Sequence, residues 1–259
     1  MTAIAGLDKA QILDAVRCMY TEVATRPDTP FHFPTGGEAC VFVGYPVGWL
    51  QGLPVPALES FAGVGFPFRA EAVCAGDRVL DVGSGSGTDV LIASRLAGAA
   101  GSVIAFDMTP AMLAKLKRNV ARASNVGIVQ GEAGAIPLAD RTVDAVTSNG
   151  VLNLVPDKRA AIGEIWRVLR PGGRVQIADI VLGRPVGQAS RSNPKLWAEC
   201  VVGASLEDDY IALFRQQGFS AVTVLRRFDY FSGSRNPDTR RVAQALGACA
   251  IEITMQRPS

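Results

Sequence analysis

Residues 79–90 read VLDVGSGSGTDV, and this stretch is the clearest indication of the fold class. A short apolar run ends at Asp81 and Val82, and Gly83, Gly85 and Gly87 then lead into a segment with helical spacing. Glycine allows positive φ angles and lets the backbone approach a ligand closely. In open α/β sheets, ligands bind beyond the carboxyl ends of the strands. The stretch therefore predicts a first strand, a tight ligand-facing turn and a helix.

From residue 77 onward, strand patterns alternate with helical ones. Strands are expected at 78–82, 102–106, 126–130, 143–148, 174–181, 220–228 and 249–255. Helices are expected near 87–97, 110–123, 157–169 and 206–217. This alternation is typical of a parallel, doubly wound α/β sheet. Only a short helix and loop separate the last two strands, so those two are expected to form an antiparallel pair.

The first 76 residues have a different pattern. A helix is expected near 8–25, with one apolar face, and Pro27 marks its end. Residues 26–68 are rich in proline, glycine and aromatic residues, which predicts short helices and loops that fold over a site. We therefore expect residues 1–76 to form an N-terminal helical and loop lid. Residues 77–259 are expected to form the main domain, and the whole chain one compact unit.

Composition limits the partners and the compartment. The 259 residues suit one large domain, and the net charge of +2 with no basic block gives no support for a nucleic-acid partner. No apolar run approaches the roughly 18 residues of a membrane span, and the first residues lack a signal-peptide layout. The five cysteines are spread without a CxxC pair, which argues against a metal site and favours a reducing, cytoplasmic location.

Two further positions predict a nucleoside ligand. Asp107 ends the second predicted strand, where an acid suits ribose hydroxyls, and Glu132 with Ala133 follows the third strand, where they would meet an adenine edge. A dinucleotide fingerprint needs a glycine where this chain has Thr88, so the turn argues against NAD.

The motifs DVGSGSG at 81–87, the acid at 107, GEA at 131–133 and VLRPGG at 168–173 together resemble the class I S-adenosylmethionine-dependent methyltransferases. The resemblance covers about residues 77–182 and implies a Rossmann-like, seven-stranded, mostly parallel sheet with S-adenosylmethionine as cofactor. It also implies that Asn149 lies near the sulfonium. The cofactor-binding residues expected from the motifs and the resemblance are Asp81, Gly83, Ser84, Gly85, Gly87, Asp107, Met108, Glu132, Ala133 and Asn149.

A narrower resemblance is carried by SNGVLNLVPDK at 148–158 and KLWAECVVGA at 195–204. Both look like the arsenite methyltransferase branch, in which cysteines at three matching positions bind trivalent arsenic. Cys200 retains one of these cysteines. Gly150 replaces the second, and Val64, within FAGVGFPF at 61–68, replaces the third. The resemblance thus preserves the scaffold but not the set of soft ligands.

The acceptor site is expected to be small and aromatic, because ring faces attract a sulfonium charge. The predicted catalytic residues are His32, Asn149 and Cys200. The predicted substrate-binding residues are Tyr45, Phe61, Phe66, Asn153, Trp197 and Cys200. Each has a purely structural alternative: the amides can cap the turn after the fourth strand, and a free cysteine is commonly a small buried apolar residue.

These patterns predict methyl transfer to a small soft nucleophile, with S-methylation of a small thiol such as sulfide or methanethiol favoured. A thiolate needs little help from a general base, whereas a hydroxyl or amine acceptor more often does, and His32 is the only histidine. Three alternatives remain open. They are arsenite methylation, O- or N-methylation of a small natural product, and a cofactor-binding protein without transferase activity.

Overall fold

A computed structural model describes residues 9–187 and 202–259 of the chain. Its strands form one sheet in the order β3-β2-β1-β4-β5-β8-β7, with β6 pairing beside β5. The strands are β1 Arg78–Val82, β2 Ser102–Asp107, β3 Val126–Gln130, β4 Val143–Asn149, β5 Leu169–Leu182, β6 Ser205–Leu206, β7 Ser220–Phe228 and β8 Cys249–Gln256.

The sheet is mostly parallel, as the alternation of elements predicts. β1 to β5 pair in parallel, whereas β8 runs antiparallel to both β5 and β7. The expected antiparallel pair at the end of the chain is therefore confirmed. The structure has eight strands in the sheet of the described residues, one more than expected. The additional strand, β6, pairs with the end of β5, and its two residues are too few to produce a sequence pattern.

Helices cover both faces of the sheet. They are α1 Lys9–Thr25, α2 Gly36–Val43, α3 Val47–Leu50, α4 Val55–Glu59, α5 Thr88–Ala97, α6 Pro110–Asn119, α7 Lys158–Val168, α8 Glu207–Gln217 and α9 Pro237–Leu246. One apolar cluster joins α5, α6 and residues from the first 76, including α1, to one face of the sheet. A second cluster joins α7 and α8 to the other face. Burial of both apolar faces stabilises this layered arrangement.

The largest local departure from the sequence prediction is the Pro-Gly-Gly segment after α7. The sequence predicts a turn there and a strand from residue 174, whereas β5 already begins at Leu169. Val143 pairs with Leu169 and Ala145 pairs with Arg174, so the intervening residues form a bulge within the ladder. Such a bulge adds residues to one strand without ending the pairing.

In the part of the chain that the structure describes, no helix combines the length and the apolar character that a bilayer crossing requires.

Candidate active site

A cleft opens at the carboxyl ends of β1, β2 and β4. The helices that follow β1 and β2 pack on one face of the sheet, and the helix that follows β4 packs on the other. The chain therefore leaves a crevice between β1 and β4, which is where open α/β sheets bind ligands. The lining residues come from the turn after β1, the ends of β2 and β4, the segment after β3, and α1.

The glycine-rich turn forms the floor of the cleft. Gly83, Gly85 and Gly87 have φ angles of +77°, +51° and +101°, which residues with side chains rarely adopt. A Cβ at Gly83 would lie 2.2 Å from Cγ2 of Val151, so a side chain there would collide with the segment after β4. Above Gly85 the space is open. The turn thus leaves room for a ligand to rest against the backbone.

Asp107 stands beside this floor, at the end of β2. Its carboxylate accepts hydrogen bonds from the backbone N–H of Gly85 at 2.9 Å and of Thr109 at 2.7 Å. Burial raises the pKa of Asp107, and these backbone donors oppose that rise. Each carboxylate oxygen can accept more than one hydrogen bond, so capacity remains for ligand hydroxyls. A glycine floor and a fixed acid fit the nucleoside cofactor that the sequence motifs imply.

The N-terminal segment supplies the opposite wall. Leu13, Val16 and Tyr20 of α1 line the cleft, together with Phe61 and Gly63 of the segment after α4. The helix α4, which precedes that segment, is held at the glycine-rich turn, because Ser86 and Thr88 both donate side-chain hydrogen bonds to the carbonyl of Ala57, at 2.7 and 2.9 Å. The cleft is therefore shared between the sheet and residues 9–76, which we call the lid segment.

Asn149 joins these two parts of the molecule. Its Oδ1 accepts hydrogen bonds from the backbone N–H of Val64 at 2.7 Å and of Gly65 at 3.1 Å. Its Nδ2 lies 2.9 Å from the carbonyl oxygen of Gly65, 3.0 Å from the Tyr45 hydroxyl and 3.1 Å from Oδ2 of Asp89. Protein groups thus occupy both polar atoms of the amide. In this structure the side chain holds the lid segment against the end of β4.

A second buried carboxylate, Asp89, lines the same end of the cleft. Tyr45 donates a hydrogen bond to its Oδ1, in addition to the contact with Asn149. Burial raises the pKa of Asp89, while these two donors lower it. Asp81 lies beneath the turn and accepts a hydrogen bond from Oγ1 of Thr147 at 2.7 Å. Burial, with the charge of Asp89 as the next cause, raises the pKa of Asp81.

The structure brings most of the predicted cofactor residues together. Those that line the cleft are Gly83, Ser84, Gly85, Asp107, Met108, Glu132, Ala133 and Asn149. Asp81 and Gly87 do not line it; both are buried, Asp81 in β1 before the turn and Gly87 at the start of α5. That these residues bind the cofactor stays a prediction.

The predicted acceptor residues are more scattered. Phe61 lines the cleft, whereas Tyr45 and Phe66 pack behind it, with ring centroids 4.9 Å apart. The backbone N–H of Asn153 donates to the carboxylate of Asp179, and Asn153 does not line the cleft. His32 is also outside the lining, and its carbonyl accepts a hydrogen bond from Ser234. Trp197 and Cys200 lie outside the described residues.

Sequence reasoning missed Asp89, and it placed α1 in the lid without naming the α1 residues that line the cleft. Asp89 stands within the quoted stretch, but an acid in the first turn of a helix is commonly explained by the helix dipole. Its burial beside Tyr45 depends on residues 44 positions apart. Local spacing carries no signal for such a contact.

Two of the three positions that carry cysteine in the resembling branch, 64 and 150, lie side by side. Gly150 lines the cleft, and a Cβ built on it would lie 3.2 Å from Cγ1 of Val64. Val64 is buried, so positions 64 and 150 form an apolar corner of the site and contribute no sulfur to it. Within residues 9–187 and 202–259, no group of three or more His, Cys, Asp or Glu residues could hold a metal ion.

The remaining cysteines in the described ranges lie apart from that corner. Cys40 is fully buried on α2, and burial strongly raises the pKa of its thiol. Cys18 and Cys74 are exposed, and Cys249 is half-buried on β8. None of the four lines the cleft.

Comparison with known proteins places this geometry in context. The model of the family described as "Methyltransferase domain" matches residues 74–218, which is more than half of the chain. The arsenite methyltransferase of Halobacterium salinarum is 43% identical over 164 residues, which are 62% of this chain and 42% of that protein. The chain thus spans less than half the length of that relative.

Two further matches extend the comparison. The crystal structure of an arsenic(III) S-adenosylmethionine methyltransferase from Chlamydomonas reinhardtii has a TM-score of 0.70 and 35% identity, covering 82% of this chain and 73% of that one. A ubiquinone/menaquinone biosynthesis C-methyltransferase from Cronobacter sakazakii is 36% identical over 117 residues, which are 44% of this chain and 47% of that protein.

Proposed function

Because the chain belongs to the class I S-adenosylmethionine-dependent methyltransferases, we propose that it transfers a methyl group from S-adenosylmethionine to a small soft nucleophile, with trivalent arsenic as the first candidate. The observation that carries this proposal is the match to the Chlamydomonas arsenic(III) methyltransferase, at 35% identity over 82% of the chain. The sequence patterns alone favoured a thiol acceptor, and the comparisons favour arsenic over it.

The donor would bind in the cleft between α1 and the glycine-rich turn. S-adenosylmethionine supplies a methyl carbon that is bonded to a positively charged sulfur. Asp107 would hold the ribose, Met108, Glu132 and Ala133 would surround the adenine, and the backbone at Gly85 would face the donor. The protein would then act mainly by holding donor and acceptor in line, because oriented contact lowers the barrier to displacement.

The apolar corner at Val64 and Gly150 determines how arsenic would have to arrive. A tight arsenic(III) site needs several thiolates, since soft metalloids select sulfur ligands. Because these two positions carry no sulfur, arsenic would enter as a complex with small thiols, and Cys200 would be the single protein thiol at a matching position. The arsenic lone pair forms the bond to the methyl carbon, and the electrons of the broken carbon–sulfur bond stay on the donor sulfur. Two molecules of the external thiol would then reduce the pentavalent methylated arsenic to the trivalent state and would themselves be oxidised to a disulfide.

A small thiol is the second candidate, and the same corner favours it. A thiolate brings its own sulfur and needs no chelating site, so the lack of sulfur at positions 64 and 150 would not weaken its binding. Its sulfur forms the bond to the methyl carbon after its proton has gone to solvent. The His32 imidazole is not required in either reaction, which agrees with its position outside the cleft.

One assay separates these candidates. Purified protein and S-adenosylmethionine are incubated with arsenite plus glutathione, with arsenite plus a phosphine reductant, and with sulfide or methanethiol alone. We expect methylated arsenic with glutathione and at least a tenfold lower yield with the phosphine. Equal yields with both reductants would overturn the role of external thiols. Methylated thiol without any methylated arsenic would replace the first candidate with the second.

The matched variants are Cys200→Ser and Cys18→Ser. Arsenic methylation should fall in Cys200→Ser, because its one matching thiol is lost, and should persist in Cys18→Ser, because Cys18 is exposed on α1. Thiol methylation should survive both substitutions, since the acceptor carries its own sulfur. Arsenic methylation that is unaffected in Cys200→Ser would contradict the assignment of that thiol.

A further inference from the structure

Asp89 is a buried carboxylate whose hydrogen-bond donors carry no charge. It is the second residue of α5, it lines the cleft, and it is 7% exposed. Tyr45 donates to its Oδ1, and Asn149 donates to its Oδ2 at 3.1 Å. In the described part of the chain, no lysine or arginine forms an ion pair with it. Its negative charge is therefore oriented but not neutralised.

Two further buried acids adjoin the glycine-rich turn: Asp107, which lines the cleft, and Asp81, which does not. The donors to their carboxylates, which include the hydroxyl of Thr147 and the backbone N–H groups of Gly85 and Thr109, carry no charge. Carboxylates in a region of low dielectric attract a cation strongly, because little water screens the charges. The end of the cleft thus favours a ligand that carries positive charge.

We propose that the carboxylate of Asp89, held by Tyr45 and Asn149, faces the sulfonium of the methyl donor and lets the site distinguish the cationic donor from its neutral product. This inference rests on the proposed donor and is independent of the acceptor. The positive charge leaves the donor sulfur when the methyl group is transferred. The attraction is then lost, which favours release of the product and its replacement by fresh donor.

This role separates binding from chemistry. An attraction to the sulfonium that weakens during transfer stabilises the donor complex more than the transition state, so it does not accelerate the chemical step. Asp89 is therefore a specificity-determining residue. It should act on the ratio of the product and donor dissociation constants, which can be measured without any acceptor.

The discrimination should depend on pH. The groups around Asp89 are Cys40 of α2, Tyr45, Asn149 and Asp81 of β1. Burial raises the pKa values of the Cys40 thiol and the Tyr45 hydroxyl, so both stay neutral at working pH. Burial raises the pKa of Asp89 to about 6. Preference for the cation should therefore be weak at pH 5 and should grow toward pH 8 as the carboxylate ionises.

The test is calorimetric titration of the full chain with three ligands at pH 5, 6.5 and 8. These are S-adenosylmethionine, S-adenosylhomocysteine, and sinefungin, which has an ammonium-bearing carbon in place of the sulfonium. All three share the adenosine and the terminal amino acid group, so they differ only at the centre, in charge and in the methyl or amino substituent. The asparagine of Asp89→Asn can still accept from Asn149 and donate to the Tyr45 oxygen, so the variant removes the charge and keeps the contacts.

We expect Asp89→Asn to weaken both cationic ligands at least tenfold at pH 8, to change S-adenosylhomocysteine affinity less than threefold, and to flatten the pH dependence. An equal loss for all three ligands would overturn the proposal, because it would place the carboxylate on their shared ammonium or give it a purely structural role. Unchanged affinities would overturn it as well. If the unmodified protein binds none of the three, the proposed function fails instead.

Tyr45→Phe is the companion variant. The hydrogen bond from Tyr45 lowers the pKa of Asp89, so removal of the hydroxyl should raise that pKa. The preference for the cation should then appear at higher pH and remain present at pH 8. A purely structural role for Tyr45 would shift the affinities of all ligands together and leave the pH profile in place.

Discussion

At the scale of single residues, Asn149 at the end of β4 and Asn153 just after it have different roles. Asn149 holds Val64 and Gly65 of the lid segment, while the backbone of Asn153 is held by Asp179 of β5. Gly150 stands between them with a φ of +74°, at the point where its Cα faces Val64. The side chain of Asn149 therefore holds the lid segment at the cleft, and the lack of a side chain at Gly150 leaves room for Val64.

The buried charge of Asp81 predicts a pH-dependent stability. Burial and the nearby Asp89 raise its pKa from 3.8 to about 7 in the folded protein, so between these pH values the folded state binds an additional proton. Its contribution to stability therefore falls as pH rises through this window. Asp81→Asn removes the titration and retains an acceptor for Thr147.

We expect Asp81→Asn to raise the free energy of unfolding of the ligand-free protein by roughly 1–2 kcal/mol at pH 8, with a smaller gain at pH 4.5. Thermal unfolding at both pH values provides the measurement. Asp14→Asn is the control, because Asp14 is 68% exposed and its replacement should change stability little. Parallel curves for Asp81→Asn and the unmodified protein would contradict the assignment.

At the scale of elements, a single buried ammonium joins three helices. Nζ of Lys115, on α6, donates to Glu59 of α4 at 2.7 Å, to Ser60 at 2.8 Å and to the carbonyl of Ala24 at the end of α1 at 3.4 Å. Because α1 forms one wall of the cleft, this contact controls the position of that wall. Lys115 is itself buried, which strengthens the hydrogen bonds that it donates.

Lys115→Met should keep the packing of the side-chain stem and lose these hydrogen bonds. Glu59 is 40% exposed and can be solvated, so the expected loss of stability is moderate, about 1–2 kcal/mol. Hydrogen exchange over residues 9–25 should become faster. Lys117→Met, at an exposed position of the same helix, should leave exchange in α1 unchanged. Unaltered exchange in the Lys115 variant would show that apolar packing alone holds α1.

At the scale of the whole molecule, the lid segment and the sheet share one core. Residues of α1, α2 and the segment 61–73 belong to the same apolar cluster as residues of β1, β2 and β5. The fully buried Glu252 of β8 adds polar contacts to this packing. Its carboxylate accepts a hydrogen bond from the N–H of Phe66 at 3.1 Å and forms ion pairs with Arg69 and Arg226. Arg226 also donates to the carbonyl of Val43, at the end of α2.

Glu252→Gln should loosen the lid segment. The two arginines would lose their shared carboxylate, and since both are about one-third exposed, we expect a loss of about 2 kcal/mol in stability. Limited proteolysis should cut residues 28–68 faster in the variant, and S-adenosylmethionine should slow that cleavage in the unmodified protein. Glu207→Gln removes an outer ion pair with Arg227 and should have a much smaller effect on both measurements.

Sequence patterns alone predict the order of strands and helices from residue 77, the glycine-rich turn and the acid at the end of β2. These features are local: alternation of apolar residues, glycine spacing and strand ends are read within a few positions. The resemblance then indicated the family, because the glycine-rich turn, Asp107 and Glu132 occur together and in the same order as the motifs of that family.

The way in which the lid segment contacts the sheet is visible only in the folded chain. The contacts of Asn149 with Val64, of Tyr45 with Asp89 and of Glu252 with Phe66 join residues 85, 44 and 186 positions apart. Hydrogen bonds across such separations depend on the packing of whole elements and leave no periodic trace in the sequence. For the same reason, the sequence identified the missing cysteines at 64 and 150, but only the fold brought those two positions into contact and left an unneutralised carboxylate in the cleft beside Asn149.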